Sequence, residues 1–446
     1  AAVFHLLGGE MRKATAEAPL SPLWQDIYGF FDENSHWQKR LSLLKQGIGK
    51  TAKPERLSPK TAKTLYGKNI FSSVSRLERF AGCPFSFFAE YGLKAEERRL
   101  YQLNTPDLGS LFHEVLELFS NKLEQDSLPW TSLTKEETTA RIHAAVEDAA
   151  PRLGNRILLD SAANQYLIRR LKRISTRAAW TLVQHLQQGD FVPAGYEVGF
   201  GAHEALPPIV IRLQDGGSLI LNGKIDRVDL LDANGTRYVK IIDYKSGNKT
   251  FHFQDIYYGL QLQLLVYLDA YLKYYKKTGA SFKPGGVFYF RITDPTLALD
   301  EELSAEAIEK ILYEKMRMSG LLLQEDVLIH GLDHSLAKSR SSAIVPVGYT
   351  KKGDPTAASN LATEEQYAAI LDFVATRTQE IGDAMKAGII TPAPYRDGQR
   401  TPCSYCSYRS LCRHSYGEAP RWRKLKKIDK ADFWESITPK QPPETE

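Results

Sequence analysis

Two acids and a lysine within twenty residues carry the strongest chemical signal: Asp226 in Gly223-Lys224-Ile225-Asp226, then Asp243 and Lys245 in Ile241-Ile242-Asp243-Tyr244-Lys245. The β-rich runs that hold them flank Asn234-Gly235. That dipeptide favours a two-residue hairpin turn, because a type I′ turn needs positive φ at both central positions. In the register this turn sets, Val228 faces Ile241 and Leu230 faces Val239 on one side, while Asp229 faces Lys240 on the other. An opposite-charge pair of that kind stabilises a ladder by roughly 0.2–1 kcal/mol. The same register sets Asp226 opposite Asp243, with Lys245 on their face. Facing carboxylates repel, so a purely structural hairpin avoids them, and a divalent cation removes the objection. Asp226 and Asp243 are therefore read as ligands of Mg²⁺ with several waters, and Lys245 as the group that steers or deprotonates a water or meets developing phosphate charge. The plain alternative is an aspartate beyond the ordered end of the hairpin, merely solvated; the D-x-K spacing weighs against it.

Downstream, Tyr258-Gly259-Leu260-Gln261-Leu262-Gln263-Leu264-Leu265-Val266-Tyr267 is expected within a helix from about 256 to 276, where Gln263 and Tyr267 share a face. An amide and a phenol on an apolar stripe suit holding a phosphate or the lysine, although each alone reads as a core residue with a satisfied hydrogen bond. His113 alone reads as an ordinary core or surface histidine, and the zinc-protease pattern H-E-x-x-H fails because position 117 is Glu117. Glu197, in Tyr196-Glu197-Val198, is a candidate further acid near the site, although a solvated strand face is the favoured reading. The four cysteines form one complete tetrathiolate set: Cys83, and Cys403, Cys406 and Cys412 near the other end. The spacing leaves zinc, a cluster and redox exchange open.

Taken together, G-x-I-D, I-D-Y-K-S-G and G-L-Q-L-Q-L-x-x-Y resemble the RecB-like branch of the PD-(D/E)XK nuclease superfamily. The opening Ser73-Val74-Ser75-Arg76-Leu77-Glu78-Arg79-Phe80-Ala81-Gly82-Cys83-Pro84-Phe85 and the closing Cys403, Cys406 and Cys412 resemble more closely the nuclease regions of bacterial helicase–nuclease subunits. The resemblance spans about residues 70 to 415 and implies an α/β fold, a mixed central sheet flanked by helices with helical insertions. It implies metal-dependent cleavage of a DNA strand, the 5′-terminated one at a processed double-strand break, beside a second helicase–nuclease subunit as heterodimeric partner. By position, Asp226, Asp243 and Lys245 match the catalytic core, Gln263 and Tyr267 the helix motif, and His113 a histidine of the Mg²⁺ site. It also turns the choice for the cysteines to a [4Fe–4S] cluster on Cys83, Cys403, Cys406 and Cys412. Such a cluster would close a loop of about 320 residues and staple the domain. One departure is visible: the proline that names the family, before the first aspartate, is Ile225 here.

These groups have to be positioned by a larger scaffold. At 446 residues the chain exceeds one ordinary core, and with 43% hydrophobic and 25% charged residues it is neither fibrous nor wholly disordered. A net charge of +5 is too small to prove a polyanionic partner. Aromatic anchors (Trp24, Tyr28, Phe30, Phe31, Trp37) mark a helical start. From Lys45 to Lys68 seven basic residues meet one acid, which reads as a solvated strap. Its Gly49-Lys50-Thr51 imitates a P-loop, but Leu44 stands where the first glycine belongs. Helices are expected over 136–150 and 163–188, strands near 194–200, 208–213, 218–230, 237–244 and 286–291, and mostly helix thereafter. The expected divisions are 1–69, the end of a preceding helicase-like domain with its linker, 70–420, the nuclease domain, and 421–446, a basic tail that meets phosphates, solvent or a partner. The missing initiator Met reads as continuation of a longer polypeptide. No stretch suits a membrane span and the start lacks the order of a signal peptide, so a cytoplasmic protein is expected. The competing reading is a non-catalytic DNA-end-binding or scaffolding module; intact Asp226, Asp243 and Lys245 argue against it.

Overall fold

Val287-Phe288-Tyr289-Phe290 is a continuous apolar run, the pattern of a strand covered on both faces. In the computed structural model, which describes residues 2–14, 18–48, 56–96, 105–152, 162–297, 302–412 and 422–438, all four of these residues are at most 1% exposed. They lie in the middle of a six-stranded mixed sheet. With β1 Asn69–Ser72, β2 Val192–Phe200, β3 Ile209–Arg212, β4 Ser218–Leu221, β5 Gly223–Ala233, β6 Thr236–Lys245, β7 Phe282–Arg291, β8 Ser319–Leu323 and β9 Leu361–Ala362, the order is β2-β5-β6-β7-β8-β9. β6 runs parallel to β7 and β8 to β9, and the other neighbours are antiparallel. A smaller sheet, β1-β4-β3, holds the remaining three.

The chain divides into two compact units, each drawn from separated stretches. One comprises Ala1–Leu65, Gly82–Glu97 and Ala387–Lys426, the other Tyr66–Ala81, Arg98–Lys386 and Lys427–Glu446. In the first, helices Ala2–Lys13, Pro22–Glu33 and Ser35–Ile48 close on Leu7, Phe31 and Leu41, with Phe4 edge-on to Phe31 at 5.1 Å. Phe30, expected as an anchor, is 60% exposed. The basic strap is not featureless, since Pro59–Tyr66 is helical with Ala62 buried; the imitation P-loop lies outside the described residues.

The second unit contains the six-stranded and the three-stranded sheets, and the hairpin follows expectation. Asn234 and Gly235 have φ of 51° and 76°, and the pairs from Arg227↔Ile242 to Ala233↔Thr236 keep the expected register. Four expectations fail. The run 218–230 breaks at Asn222 and its halves join different sheets. The helix expected over 256–276 is two, Phe253–Tyr257 and Gln263–Lys277, because Gly259 takes φ 73°, where a left-handed turn interrupts the ladder. Gln261 falls in that turn, where its amide donates to Thr250 O at 2.7 Å and accepts from His252 N at 2.8 Å. Finally, β8 was hidden in the stretch expected to be mostly helix, and the tail is not solvated throughout: Lys430–Ile437 is helical and buries Phe433 and Trp434 against Phe253. Among the described residues no helix is long and apolar enough to cross a membrane.

Candidate active site

Strand alternation delivers Asp226, Asp243 and Lys245 to one face, and the packing there is tight. Asp226 and Asp243 are 8% and 3% exposed. Lys245 Nζ lies 2.5 Å from Asp243 Oδ2, and Gln263 Nε2 donates to Asp243 Oδ1 at 2.7 Å. The glutamine thus holds the second aspartate, not the lysine or a phosphate. Asp226 takes no ladder partner across the hairpin; its Oδ2 accepts the Tyr244 amide at 2.6 Å. Burial and the neighbouring Asp226 push the Asp243 carboxyl up to about 7 against the opposing pull of Lys245.

His113, on helix Thr105–Gln125, reaches the same place. Its Nε2 lies 2.9 Å from the Tyr244 carbonyl, and its Nδ1 is 3.4 Å from Asp226 Oδ2 and 3.9 Å from Glu197 Oε1. An Nε2–H donated to that carbonyl orients the ring and leaves Nδ1 for a ligand, the arrangement metal-bound histidines commonly use. Burial works against the charged ring, yet the carboxylates of Asp226 and Glu197 outweigh it and raise its pKa to about 10.

Of the two readings of Glu197 the structure favours the acid at the site over the solvated face. The residue is 16% exposed at the side chain, and ligand atoms of His113, Glu197 and Asp226 lie within 4.8 Å of one another. Flanking pairs Tyr196↔Arg227 and Val198↔Ile225 set it opposite Asp226 in β2, but no pair forms there and its φ is +47°. A left-handed glutamate is strained, and such strain gathers at functional sites. One imidazole with clustered carboxylates fits a hard divalent cation, with Asp243 adjacent. In its absence a protonated His113 supplies the counter-charge.

Two further residues hold the hairpin and the helix in place around this cluster. Tyr267 is 5% exposed and sits against Gly223, where an added Cβ would fall inside its hydroxyl. Glu78, not singled out from sequence, accepts the amides of Leu262 at 2.8 Å and Gln263 at 3.1 Å and pairs with Lys249 at 3.2 Å. Helix Gln263–Lys277 has no side-chain cap from its own Leu262. A carboxylate from 185 residues away therefore caps the helix that presents Gln263.

In the other unit, Cys83 is buried, and burial pushes its thiol up to about 11 with Cys403 adding to the effect. Cys403 is raised by burial and by Cys406 and Cys412, and Cys406 Sγ lies 3.9 Å from Ser86 Oγ. Electrostatic influence thus links Cys403 with the other three thiols, although among the described residues no three of their sulfurs lie within 4.8 Å of one another; thiolates are the donors that zinc and iron–sulfur clusters take, and a soft cationic centre would favour that form.

A mixed sheet with paired aspartates, a D-x-K lysine and a histidine beside them defines a nuclease class, and residues 72–413 match the PD-(D/E)XK nuclease superfamily: the chain belongs to it. Residues 1–47 match the fifth domain of the ATP-dependent helicase/deoxyribonuclease AddB. The chain is similar to the B subunit of the ATP-dependent helicase/deoxyribonuclease of Alkaliphilus oremlandii, 40% identical over 97% of this chain and 38% of the relative. It is likewise similar to those of Alkaliphilus metalliredigens, 41% over 92% and 36%, and Thermoanaerobacter sp., 35% over 94% and 36%. The chain spans little more than a third of the length of these relatives.

Proposed function

We propose that this chain is the nuclease-bearing part of an AddB-type protein, a Mg²⁺-dependent exodeoxyribonuclease that works in the cytoplasm with an AddA-like helicase–nuclease partner. Its substrate is DNA, double-strand ends and the single strands drawn from them, and by resemblance it cuts the 5′-terminated strand during resection for recombinational repair. The observation that carries the reading is the convergence of Asp226, Asp243, Lys245 and Gln263 with His113 and Glu197.

His113, Glu197, Asp226 and Asp243 would hold Mg²⁺, which when bound polarises the scissile phosphate and lowers the pKa of a coordinated water. Gln263 orients the Asp243 carboxylate. Lys245 places a cation 2.5 Å from Asp243, beside any phosphate or water that enters, so it can orient the nucleophile and offset charge on the phosphorane-like oxygens. Tyr267 fills the floor under Gly223 and fixes the approach of helix to hairpin. Cys83, Cys403, Cys406 and Cys412 are proposed to ligate a [4Fe–4S] cluster with a stapling role; protein purified without oxygen should contain iron and sulfide, and stoichiometric zinc instead would overturn the choice of cluster.

The deciding experiment incubates end-labelled duplex and single-stranded DNA with the purified protein, with Mg²⁺ and with EDTA. Asp243→Asn should abolish Mg²⁺-dependent cleavage while binding to DNA ends persists. Substantial cleavage by that variant would remove Asp243 from the mechanism, and no cleavage by the parent would favour a scaffolding module.

A further inference from the structure

Cations at 169, 172, 173 and 177 recur at helical spacing on Ala162–Gln187, and they face a cavity. Helices Lys135–Ala149 and Ala305–Lys315 supply other residues of its wall. Its volume is about 420 Å³, within the roughly 300–1,000 Å³ typical of ligand sites. Trp180 and Tyr313 add two aromatic side chains to the lining.

The charges do not cancel. Arg173 and Arg177 share Asp294 at 2.7 and 3.1 Å, Lys172 meets Glu147 at 2.6 Å, and Lys135 meets Glu309 at 3.0 Å. Five cations with Arg169 thus meet three acids, and Arg169 has no acidic partner among the described residues. Thr176 Oγ1, also in the lining, is buried without a hydrogen-bond partner. An excess of positive charge, an unused hydroxyl and two aromatic rings suit an anion attached to a flat ring.

Position narrows the ligand further. Asp294 follows β7, whose last residue Arg291 is the register partner of Lys245, and Ile292 N donates to Lys245 O at 2.9 Å. The arginines are therefore tied to chain that leaves the sheet beside the active-site lysine. We propose that this cavity is a subsite for single-stranded DNA, in which one nucleotide flanking the cleaved segment stacks on Trp180 while its phosphates meet Arg169 and Arg173. The inference rests on the nuclease reading. A single strand is required because paired bases cannot turn a ring face into an enclosed wall, whereas splayed bases stack on aromatic side chains with little sequence preference.

The test measures binding of fluorescein-labelled oligothymidylate to the full chain in EDTA, by anisotropy across a salt series. Trp180→Leu should weaken binding roughly tenfold, and Trp180→Phe should restore most of the loss. Arg169→Ala should lower the slope of log affinity against log salt by about 0.7, the contribution of one single-strand phosphate. Lys276→Ala, on a different helix, should change neither affinity nor slope. Thermal melting of each variant separates lost binding from lost fold. Equal weakening by Trp180→Leu and Trp180→Phe, or an unchanged affinity in both, would overturn the stacking subsite, as would an unchanged slope in Arg169→Ala. A parent that binds oligothymidylate through these residues yet never cleaves with Mg²⁺ would sink the nuclease reading and leave the subsite standing.

Discussion

Replacing Asp229 by alanine should be among the most destabilising single changes in the hairpin, although sequence reading assigns it only to a cross-strand pair with Lys240. The pair is present, with Lys240 Nζ 2.9 Å from Asp229 Oδ2. It is also sealed: Asp229 is 0% exposed and also accepts Arg227 Nε at 2.6 Å and Nη2 at 3.0 Å, with Arg227 1% exposed. Burial opposes ionisation of Asp229, but Arg227 and Lys240 overcome it and hold its pKa below the ordinary 3.8. Both cations also lie over rings, Arg227 over Trp130 at 4.8 Å and Lys240 over Phe191 at 4.5 Å. Asp229→Ala strands two buried cations, for which the cost is about 3–5 kcal/mol, against about 0.2–1 kcal/mol for an exposed ladder pair. Lys240→Met removes the cation that burial already disfavours, lowering its pKa, and leaves Arg227 and Asp229 balanced. It should cost far less, about 1 kcal/mol or under. Urea titrations followed by tryptophan fluorescence and far-ultraviolet circular dichroism, run on parent and both variants, measure the difference. Because the folded pKa of Asp229 is depressed, its contribution is complete above 3.8 and fades as pH falls through the lower folded value. The parent should therefore lose more stability than Asp229→Ala on acidification below pH 4. Equal costs for the two variants, or a loss under about 1 kcal/mol for Asp229→Ala, would refute the buried-triad argument.

Three more outcomes follow from the site. Gly223→Ala should cost about 1–3 kcal/mol by overpacking Tyr267 and lower cleavage, with Tyr267→Phe relieving part of both in the double variant; a melting curve matching the parent would contradict the tight approach. Mg²⁺ binding at pH 8 should release about one proton, since His113 with its pKa near 10 must deprotonate to ligate while Asp243, near 7, is already ionised; calorimetry in buffers of different ionisation enthalpy reads this, and His113→Ala should abolish it. Glu78→Ala should cost about 0.5–2 kcal/mol through the lost cap and reduce kcat more than DNA binding, Glu78→Gln should keep most activity, and in a Gln263→Ala background Glu78→Ala should add little; a full additional loss there would separate the cap from Gln263.

Local rules with a single physical cause were legible. Asn234-Gly235 fixed the turn, and the turn fixed a register that carries Asp226, Asp243 and Lys245 to one face. The four-residue spacing brought Gln263 and Tyr267 together. What was ranked low or escaped depended on distant chain: Glu197, a candidate acid ranked below a solvated face, enters because β2 pairs with β5 and kinks, and Glu78, unnoticed, because a helix nearly two hundred residues earlier packs at an uncapped N-terminus. Neither contact leaves a local pattern. The depth of Asp229 and Lys240 was likewise invisible, since alternation tells which residues share a face and not whether helices cover that face.

The hairpin carries its two charge sets on alternate residues: Asp226, Asp243 and Lys245 on one side, Arg227, Asp229 and Lys240 on the other. A slip of one residue along either strand exchanges sides. It would turn that strand's share of the arginine–aspartate–lysine cluster toward the metal face, and send its acid from the metal pair into a closed compartment built for a different balance of charge. Misaligned hairpins are thus penalised on both faces at once. The chemistry that demands acids in the interior also acts as an alignment check during folding, so a substitution that neutralises either set should raise the share of chains trapped in the wrong register even where the final fold tolerates it.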